Sequence, residues 1–509
     1  MTPAPALPSS AGPLAPARVR PDRFLVGAVV VATLLRLPGL LATPGSDEAG
    51  FLLVARSWSP SADSLYGPYW VDRPPVLLAA YRWSDALVPD LLPVLGPRLL
   101  ALVLSAGLVV AVHRLAARVA GRDPARVATV VAVALLSDPD LSGWTAKGEV
   151  LGTPLVAVSW LLLVRALDTG SARAALLAGV CATTAAGCKQ SLVGGLVLGA
   201  VLLVASFLGA RVAPARVLAV AGRWALGAAL PVLAVLAWIA VSPATVAAGW
   251  YQVVGFRADA SAVLAASDSR APVERAHDLA RLFVTCGMAP LLVLAVAGAR
   301  RWWSRWPALS LALLVTTGVD LAGVVVSGSF WHAYLVPLVP DVALLAGLVA
   351  SAAPPWRSLA RAVAALCVVA ALPAYAGFAR DRLVDPTPTG PWQVGVAIAD
   401  AAGRDDTVVS LYGSAELVEA SGLRSPYPHL WSLPIRTLDP DLAGLRAVLA
   451  GPDAPTWVVG VLPLSSWHID ADHRLREVLL QHYRLATPPC GPLVWVRADV
   501  VRPALRLEC

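Results

Sequence analysis

Ionisable side chains that could carry out chemistry are concentrated between residues 45 and 83, within an otherwise apolar chain. Asp47 and Glu48 are adjacent there, and Arg56 and Arg73 follow them in the same segment. A carboxylate within hydrogen-bond reach of a hydroxyl can take its proton as that hydroxyl attacks another molecule. An arginine guanidinium presents paired N–H donors that match the oxygens of a phosphate. The segment therefore combines candidate general bases with candidate ligands for an anionic group such as a lipid phosphate.

The same residues have structural explanations, which the sequence leaves open. Ser46 or Asp47 precedes an apolar, periodic run and fits the N-cap of a helix. The arginines of the segment could contact lipid headgroups or pair with nearby carboxylates, which are Asp63, Asp72 and Asp85. The Trp and Tyr side chains that crowd the segment fit an interfacial aromatic belt, and some of them could stack on a sugar ring.

A second group of ionisable side chains lies beside apolar stretches farther along the chain. Lys147 and Glu149 stand at the start of one stretch, and Lys189, the other lysine, lies between two. An ionisable residue at membrane depth is a functional candidate by default. The alternatives are a solvated loop for the first two and surface anchoring for Lys189. His332 and Tyr334 are candidates at the end of a later stretch, where a structural histidine is the alternative.

The composition indicates the scaffold that must position these residues. Of 509 residues, 57% are hydrophobic and 14% are charged, whereas a soluble protein has about 25% charged residues. This excludes a soluble enzyme and a disordered chain, and the net charge of +7 is not clustered as nucleic-acid binding requires. A helix that crosses a bilayer needs about 20 mostly apolar residues. The sequence predicts about eleven such helices, near 24–42, 98–115, 125–137, 150–167, 173–187, 191–209, 224–242, 280–299, 308–326, 333–351 and 358–378.

Basic residues predict the orientation of these helices, because short cytoplasmic loops carry an excess of arginine and lysine. Arg18, Arg20 and Arg23 precede the first span, which places the N-terminus in the cytoplasm. With this set of spans the other cytoplasmic loops are also basic, and both groups of candidate residues lie on the outer side. The expected organisation is a disordered cytoplasmic tail at 1–23 and a multi-pass bundle in the plasma membrane at 24–380.

The sequence from 385 to 509 predicts a small extracytoplasmic α/β domain, because strand-like runs alternate there with helical patterns. The strands are expected at 407–413, 456–462 and 492–498, and the helices at 415–422 and 473–483. Cys490 and Cys509 lie in this region and could pair in an oxidising compartment. The remaining cysteines lie in or beside apolar stretches, and no CxxC or His–Cys cluster typical of zinc is present.

Several motifs occur in a specific order along the chain. The acidic pair Asp47-Glu48 follows the first span, and the element Asp72-Arg73-Pro74-Pro75 comes about 25 residues later. A lysine-containing turn and an HxYxxPxxP element that begins at His332 follow. This order resembles the GT-C superfamily of membrane glycosyltransferases, in the protein O-mannosyltransferase and aminoarabinose-transferase branch (families 39 and 83). The resemblance covers roughly residues 20–380 and implies a GT-C-like bundle.

The resemblance also implies roles for individual residues. Asp47 matches the catalytic acidic residue of the family, with Glu48 as the second candidate. Arg73 matches the basic residue that contacts the lipid phosphate, and Arg56 matches a basic residue at the end of the first outer juxtamembrane helix. Gly50 stands where aminoarabinose transferases carry an arginine. The phosphate contacts must therefore differ, and the donor sugar cannot be carried over.

The resulting hypothesis is an inverting hexosyl or pentosyl transferase that uses a polyprenyl-phosphate sugar on the outer face of the membrane. Its expected partners are this donor, membrane lipids and an acceptor hydroxyl on a lipid, protein or polysaccharide, with no nucleic acid. Substrate-binding roles are expected for Arg56, Arg73, Glu149, Lys147, Lys189, His332 and Tyr334. No metal site or cofactor is expected, although a divalent cation is left open. The alternatives are a lipid-linked sugar transporter and a non-catalytic membrane protein that binds cell-envelope glycans.

Overall fold

The computed structural model describes residues 22–88, 92–209, 212–267, 270–384, 390–486 and 492–506. The predicted disordered tail, apart from its last residues, lies outside these ranges. The predicted pairing of Cys490 with Cys509 lies outside them as well, so both expectations stay predictions.

The eleven apolar stretches all coincide with helical segments of the structure. The helices of this part are α1 (Arg23–Leu34), α2 (Leu37–Leu40), α3 (Ser46–Arg56), α4 (Pro75–Leu87), α5 (Leu95–Ala120), α6 (Arg122–Ser137), α7 (Gly148–Thr169), α8 (Ala172–Cys188), α9 (Gly194–Leu208), α10 (Pro214–Val241), α11 (Val246–Trp250), α12 (Phe256–Ala265), α13 (Ala271–Thr285), α14 (Met288–Ala297), α15 (Ala299–Trp302), α16 (Pro307–Val326), α17 (Val339–Ala350) and α18 (Trp356–Leu383). Short 3₁₀ turns span Pro139–Leu141, Trp303–Arg305 and His332–Leu338, and a π-helical turn spans Tyr251–Gly255.

Within the described residues, 7 helical segments are long and apolar enough to cross a membrane. They are Arg23–Leu40, Leu95–Ala120, Gly148–Thr169, Pro214–Val241, Pro307–Val326, His332–Ala350 and Trp356–Leu383. Helices α13 and α14 pass the same criterion together, with a bend of 62° between them, whereas α8 and α9 are apolar but shorter. The chain is therefore a polytopic helical membrane protein, and the count of eleven spans and their orientation stay predictions.

Close helix packing at the centre of the bundle depends on small side chains. Helix α7 packs against α5, α8 and α9, and α8 packs against α10. A Cβ atom on Gly179 of α8 would lie 2.0 Å from the Trp224 carbonyl oxygen, and one on Gly227 of α10 would lie 2.0 Å from the Leu176 oxygen. Only glycine permits this backbone approach, which is the usual basis of tight helix pairs in membranes.

Helices α3 and α4 lie at one end of the bundle, and a buried ion pair fixes α3 there. Arg98 of α5 donates to both carboxylate oxygens of Glu48, over 2.6 and 3.0 Å. The same guanidinium donates to the carbonyl oxygens of Gly39 and Ala42, and the Ala146 N–H donates to Glu48 over 2.9 Å. The first turn of α3 is thereby tied to α5 and to the segment that precedes α7.

The described residues from 391 to 486 and from 492 to 506 form a four-stranded mixed sheet with surrounding helices. The strands β1 (Val408–Leu411), β2 (Trp457–Gly460), β3 (Tyr483–Leu485) and β4 (Leu493–Arg497) lie in the order β1-β2-β4-β3, and only the β1–β2 pair is parallel. The helices are α19 (Pro391–Ala401), α20 (Ala415–Ser421), α21 (Ser432–Leu438), α22 (Ala443–Ala450) and α23 (Arg474–His482). The three predicted strands and two predicted helices coincide with β1, β2, β4, α20 and α23. Strand β3 was not predicted, and it takes Tyr483, which the sequence assigned to the preceding helix.

The C-terminal region packs directly on the end of the bundle that carries α3. Helix α20 contacts α3, and Glu419 of α20 pairs with Arg56 over 2.8 Å. The Trp70 N–H donates to the Pro428 carbonyl oxygen over 3.0 Å, and the Ser425 N–H donates to the Tyr69 hydroxyl over 3.0 Å. These contacts hold the C-terminal region over the predicted outer segments.

Candidate active site

A cavity of about 500 Å³ lies between the α3 end of the bundle and the C-terminal region. Its walls bring together segments that are far apart in the sequence: the start of α3, residues 71–73, the start of α7, the start of α12 and the 3₁₀ turn near 334. Asp47, Arg73, Lys147, Glu149 and Tyr334, which are five of the predicted site residues, line it.

Asp47 presents its carboxylate to this cavity from the first turn of α3. Its side chain is 35% exposed, and the Lys147 Nζ atom lies 3.4 Å from Oδ2. Burial alone would raise the pKa of Asp47, but the nearby charges of Lys147 and Arg73 outweigh this effect and hold the pKa below its usual value. Asp47 is therefore an anion at neutral pH, and its carboxylate is accessible from the cavity.

Glu48, the second catalytic candidate, faces the opposite way. Successive residues of a helix are rotated by about 100°, so the neighbour of a cavity-lining residue can lie in the core. The Glu48 side chain is 1% exposed. Both of its carboxylate oxygens accept hydrogen bonds from Arg98, and one of them also accepts from the Ala146 N–H. The structure does not bring Glu48 to the cavity.

Arg73 and Arg257 share Asp72 as their anionic partner. Arg73 Nη1 lies 2.6 Å from Asp72 Oδ1, and Arg257 pairs with Oδ2 of the same carboxylate. Burial would lower the pKa of Arg73, but the carboxylates of Asp72 and Asp47 raise it above its usual value. Two guanidinium groups against one buried carboxylate leave an excess of positive charge beside the cavity.

Lys189 and Glu149 form an ion pair at the point where a second cavity meets the first. The second cavity has a volume of about 330 Å³ and shares Glu149, Arg257 and Tyr334 with the larger one. Lys189 pairs with Glu149, and its Nζ atom lies 3.8 Å from the centre of the Tyr334 ring. Most of the remaining lining comes from α12 and α16. The junction therefore has cationic groups next to a largely apolar groove between helices.

Besides Glu48, two predicted site residues lie away from both cavities. Arg56 donates to Asp85 over 2.9 Å and to Glu419 over 2.8 Å, at the contact between α3, α4 and α20. A ring nitrogen of His332 lies 3.1 Å from the Asp140 carbonyl oxygen, and its side chain does not line either cavity. The residues beside it, Trp331 and Ala333, do line the larger one.

Sequence reasoning did not assign a site role to Arg257, Glu416 or Trp431, all of which line the larger cavity. Glu416 had one available signal, because it follows the carboxyl end of the parallel strand β1, where ligands bind in α/β sheets. Arg257 and Trp431 had none, since contacts between distant segments bring them to the cavity.

Gly50, where the family pattern has an arginine, makes room for Trp431. A Cβ atom at position 50 would lie 2.2 Å from Cζ2 of the Trp431 ring. That ring also packs on Phe51, with 5.7 Å between the ring centres. The departure from the family pattern thus coincides with the entry of an aromatic ring from the C-terminal region.

No group of three or more His, Cys, Asp or Glu side chains suited to a metal ion occurs in the part of the chain that the structure describes. The expectation of a reaction without a resident metal or cofactor stays a prediction.

The fold is similar to those of solved membrane glycosyltransferases. ArnT from Cupriavidus metallidurans, solved bound to undecaprenyl phosphate, aligns with a TM-score of 0.52 at 15% identity, covering 94% of this chain and 99% of that one. Its apo form aligns with a TM-score of 0.54 at 14% identity, covering 93% and 97%. The oligosaccharyltransferase of Archaeoglobus fulgidus aligns with a TM-score of 0.54 at 12% identity, covering 94% and 74%.

No family model and no curated protein matches the sequence. The solved structures therefore establish the architecture, and they confirm the resemblance that the motifs indicated. The chain has the fold of the GT-C superfamily of membrane glycosyltransferases.

Proposed function

We propose that this protein is an inverting glycosyltransferase that moves a sugar from a polyprenyl-phosphate donor to an acceptor hydroxyl. The observation that carries the proposal is the larger cavity, where the ionised, accessible carboxylate of Asp47 faces a cluster of partly buried cations. An inverting displacement needs a base and a site for an anionic leaving group in one space, and this cavity offers both.

Arg73, Arg257 and Lys189 are the proposed contacts of the donor phosphate. They lie around the junction of the two cavities, where the smaller groove runs along α12 and α16. A polyprenyl phosphate needs an apolar path for its chain and cations for its head, which is the combination found here. ArnT, a structural neighbour, was solved bound to undecaprenyl phosphate, and this supports a lipid phosphate as the ligand.

In the proposed reaction one bond forms as another breaks. The acceptor oxygen bonds to the anomeric carbon, the bond from that carbon to the phosphate oxygen breaks, and Asp47 takes the acceptor proton. The electron pair of the broken bond stays on the lipid phosphate, where Arg73 and Arg257 stabilise the charge. A single displacement inverts the anomeric centre.

In this proposal the charge of Lys147 acts on Asp47. It keeps Asp47 ionised in the free protein, since its charge lowers the pKa of that carboxyl against the effect of burial. A donor phosphate bound by Arg73 and Lys189, whose charges also lower the pKa of Asp47, would weaken this lowering effect. We therefore expect Asp47 to become a stronger base when the donor is bound.

We further propose that the reaction takes place on the outer face of the plasma membrane. Basic residues concentrate in the loops on the other side of the predicted topology, which follows the positive-inside rule. The cavity and the C-terminal region would then both face the exterior.

Transport of a lipid-linked sugar is the second candidate. Asp320 lies within the membrane-spanning helix α16 and lines the smaller cavity. The Thr317 hydroxyl donates to Asp341 of α17 over 3.0 Å in the same region. Ionisable residues inside spans mark transport pathways. A transporter would move labelled lipid-linked sugar across a vesicle membrane without forming a glycoside.

The test is a transfer assay with the full-length protein in vesicles, labelled undecaprenyl-phosphate sugars and envelope membranes as the acceptor. Asp47→Asn keeps the size of the side chain but removes the base, so the transfer rate should fall by about 10²–10⁴-fold. Asp123→Asn, at an exposed position on α6, is the matched control and should retain the wild-type rate. Wild-type transfer by Asp47→Asn would contradict the proposal.

A further inference from the structure

The C-terminal region forms one complete wall of the larger cavity. Tyr412, Glu416 and Trp431 are among its contributions, and they come from the end of β1, the start of α20 and the residue before α21. The Ala415 N–H donates to the Ser46 hydroxyl over 3.2 Å, one residue from Asp47. This wall is therefore fixed directly against the proposed base.

Two polar atoms of this wall have no hydrogen-bond partner among the described residues. They are Oε2 of Glu416 and Nε1 of Trp431, and both are shielded from bulk solvent. Buried polar atoms are nearly always hydrogen-bonded, so each exception needs an explanation. A carboxylate oxygen accepts hydrogen bonds and an indole N–H donates them. A ligand that satisfies both atoms must therefore carry a donor and an acceptor.

Asp47 is close to both this wall and the cationic cluster. Burial raises the pKa of the Glu416 carboxyl, and the neighbouring charge of Asp47 raises it further. The pKa of Asp47 in turn responds to the charges of Lys147, Arg73 and Lys189. Asp47 is therefore close both to the cations and to Glu416.

The two substrates of an in-line displacement have different requirements. The acceptor must approach the anomeric carbon from the side opposite the leaving phosphate. The phosphate requires the cations, whereas the acceptor hydroxyl must reach the base, and the wall that carries Glu416 and Trp431 is fixed next to that base.

We propose that Glu416 and Trp431 form an acceptor subsite for a carbohydrate, which they hold so that one of its hydroxyls meets Asp47. The inference rests on the proposed glycosyltransferase function and adds the chemical class of the acceptor. Each sugar hydroxyl both donates and accepts, so neighbouring hydroxyls can satisfy a carboxylate oxygen and an indole N–H together. A serine or threonine side chain has a single hydroxyl, and Asp47 itself would engage it. Such an acceptor would leave no side-chain hydroxyl for Glu416 and Trp431.

The experiment measures half-saturation for each substrate separately, with the full-length protein in vesicles. Undecaprenyl-phosphate sugar is varied at fixed acceptor membranes, and the membranes are then varied at fixed donor. Glu416→Gln and Trp431→Phe should each raise the half-saturating amount of acceptor about tenfold, the effect of losing a hydrogen bond to a charged or buried group. Both variants should leave donor half-saturation within about twofold, because the phosphate contacts are untouched.

Glu419→Gln is the matched control. Glu419 lies on the same helix and is also shielded, but it pairs with Arg56 and does not line the cavity. This variant should retain wild-type half-saturation for both substrates. Periodate treatment of the acceptor membranes tests the chemical class, because periodate cleaves vicinal diols. The treatment should abolish acceptor capacity.

The outcomes separate this inference from the proposed function. Absence of transfer by the wild-type protein overturns both. Transfer that depends on Asp47 but shows wild-type acceptor half-saturation in Glu416→Gln and Trp431→Phe overturns the subsite alone. A rise in donor half-saturation instead would place the two residues on the donor side and overturn the assignment. Labelled sugar recovered on a serine or threonine side chain overturns the carbohydrate class.

Discussion

The two sides of helix α3 carry adjacent carboxylates in opposite environments. On the core side, Glu48 is buried, and Arg98 and a backbone N–H occupy its oxygens. On the cavity side, Asp47 has one cation at 3.4 Å and remains accessible. Both carboxyls have pKa values below the usual range, since nearby cations outweigh the effect of burial. The difference shows that ionisation alone does not make a carboxylate available to a ligand, because the carboxylate also needs an open face.

The largest effect that tests this contrast is a loss of stability on the core side. Arg98→Met leaves Glu48 as an uncompensated buried charge, and it should lower the free energy of unfolding by about 3–5 kcal/mol. Thermal unfolding of the purified protein measures this, with Asp47→Asn as the comparison, which should unfold near the wild-type temperature. Equal stability of Arg98→Met and the wild type would contradict a structural role for the core side.

On the cavity side, the largest further effect is expected from Arg73. Arg73→Met removes a guanidinium from the proposed phosphate site, and the transfer rate should fall by about 10²–10³-fold. The variant should also bind undecaprenyl phosphate less tightly, which a binding assay with the labelled lipid measures. If the variant binds the lipid as the wild type does and transfers at the wild-type rate, Arg73 does not contact the phosphate.

The pH dependence of transfer tests the electrostatics of Asp47. The active form is the anion, so activity should be lost as the pH falls through the pKa of Asp47, which Lys147 and Arg73 hold low. In Lys147→Met the strongest of the charges that lower the pKa of Asp47 is gone, and burial still raises this pKa. The acid limb of the pH–rate profile should therefore move to higher pH. A limb that stays at the wild-type pH would contradict an effect of Lys147 on the pKa of Asp47.

The smallest effect is expected at the contact between α3 and α20. The Arg56 side chain is 43% exposed and pairs with Asp85 and Glu419. Arg56→Met should cost less than about 1 kcal/mol of stability, as is usual for a solvent-exposed ion pair, and should transfer at nearly the wild-type rate. A loss as large as that of Arg73→Met would instead support the substrate-binding role that the family resemblance implies.

The sequence predicted the helical bundle well, because apolar stretches of membrane length are a strong local signal. It also identified Asp47, Arg73, Lys147, Glu149 and Tyr334, which the fold brings to one cavity. It could not distinguish Asp47 from Glu48, since their difference depends on which face of α3 meets Arg98. Trp431 was beyond its reach, because only tertiary packing brings this ring to Gly50.

The most direct test of the account is an experimental structure of the protein with undecaprenyl phosphate bound. We predict that the phosphate oxygens lie within hydrogen-bond distance, about 3 Å, of Arg73 and Arg257, with the lipid chain along α12 and α16. The carboxylate of Asp47 should face the phosphorus-bearing end of the same cavity. A phosphate bound elsewhere, or an Asp47 carboxylate shielded from the lipid headgroup, would contradict the account.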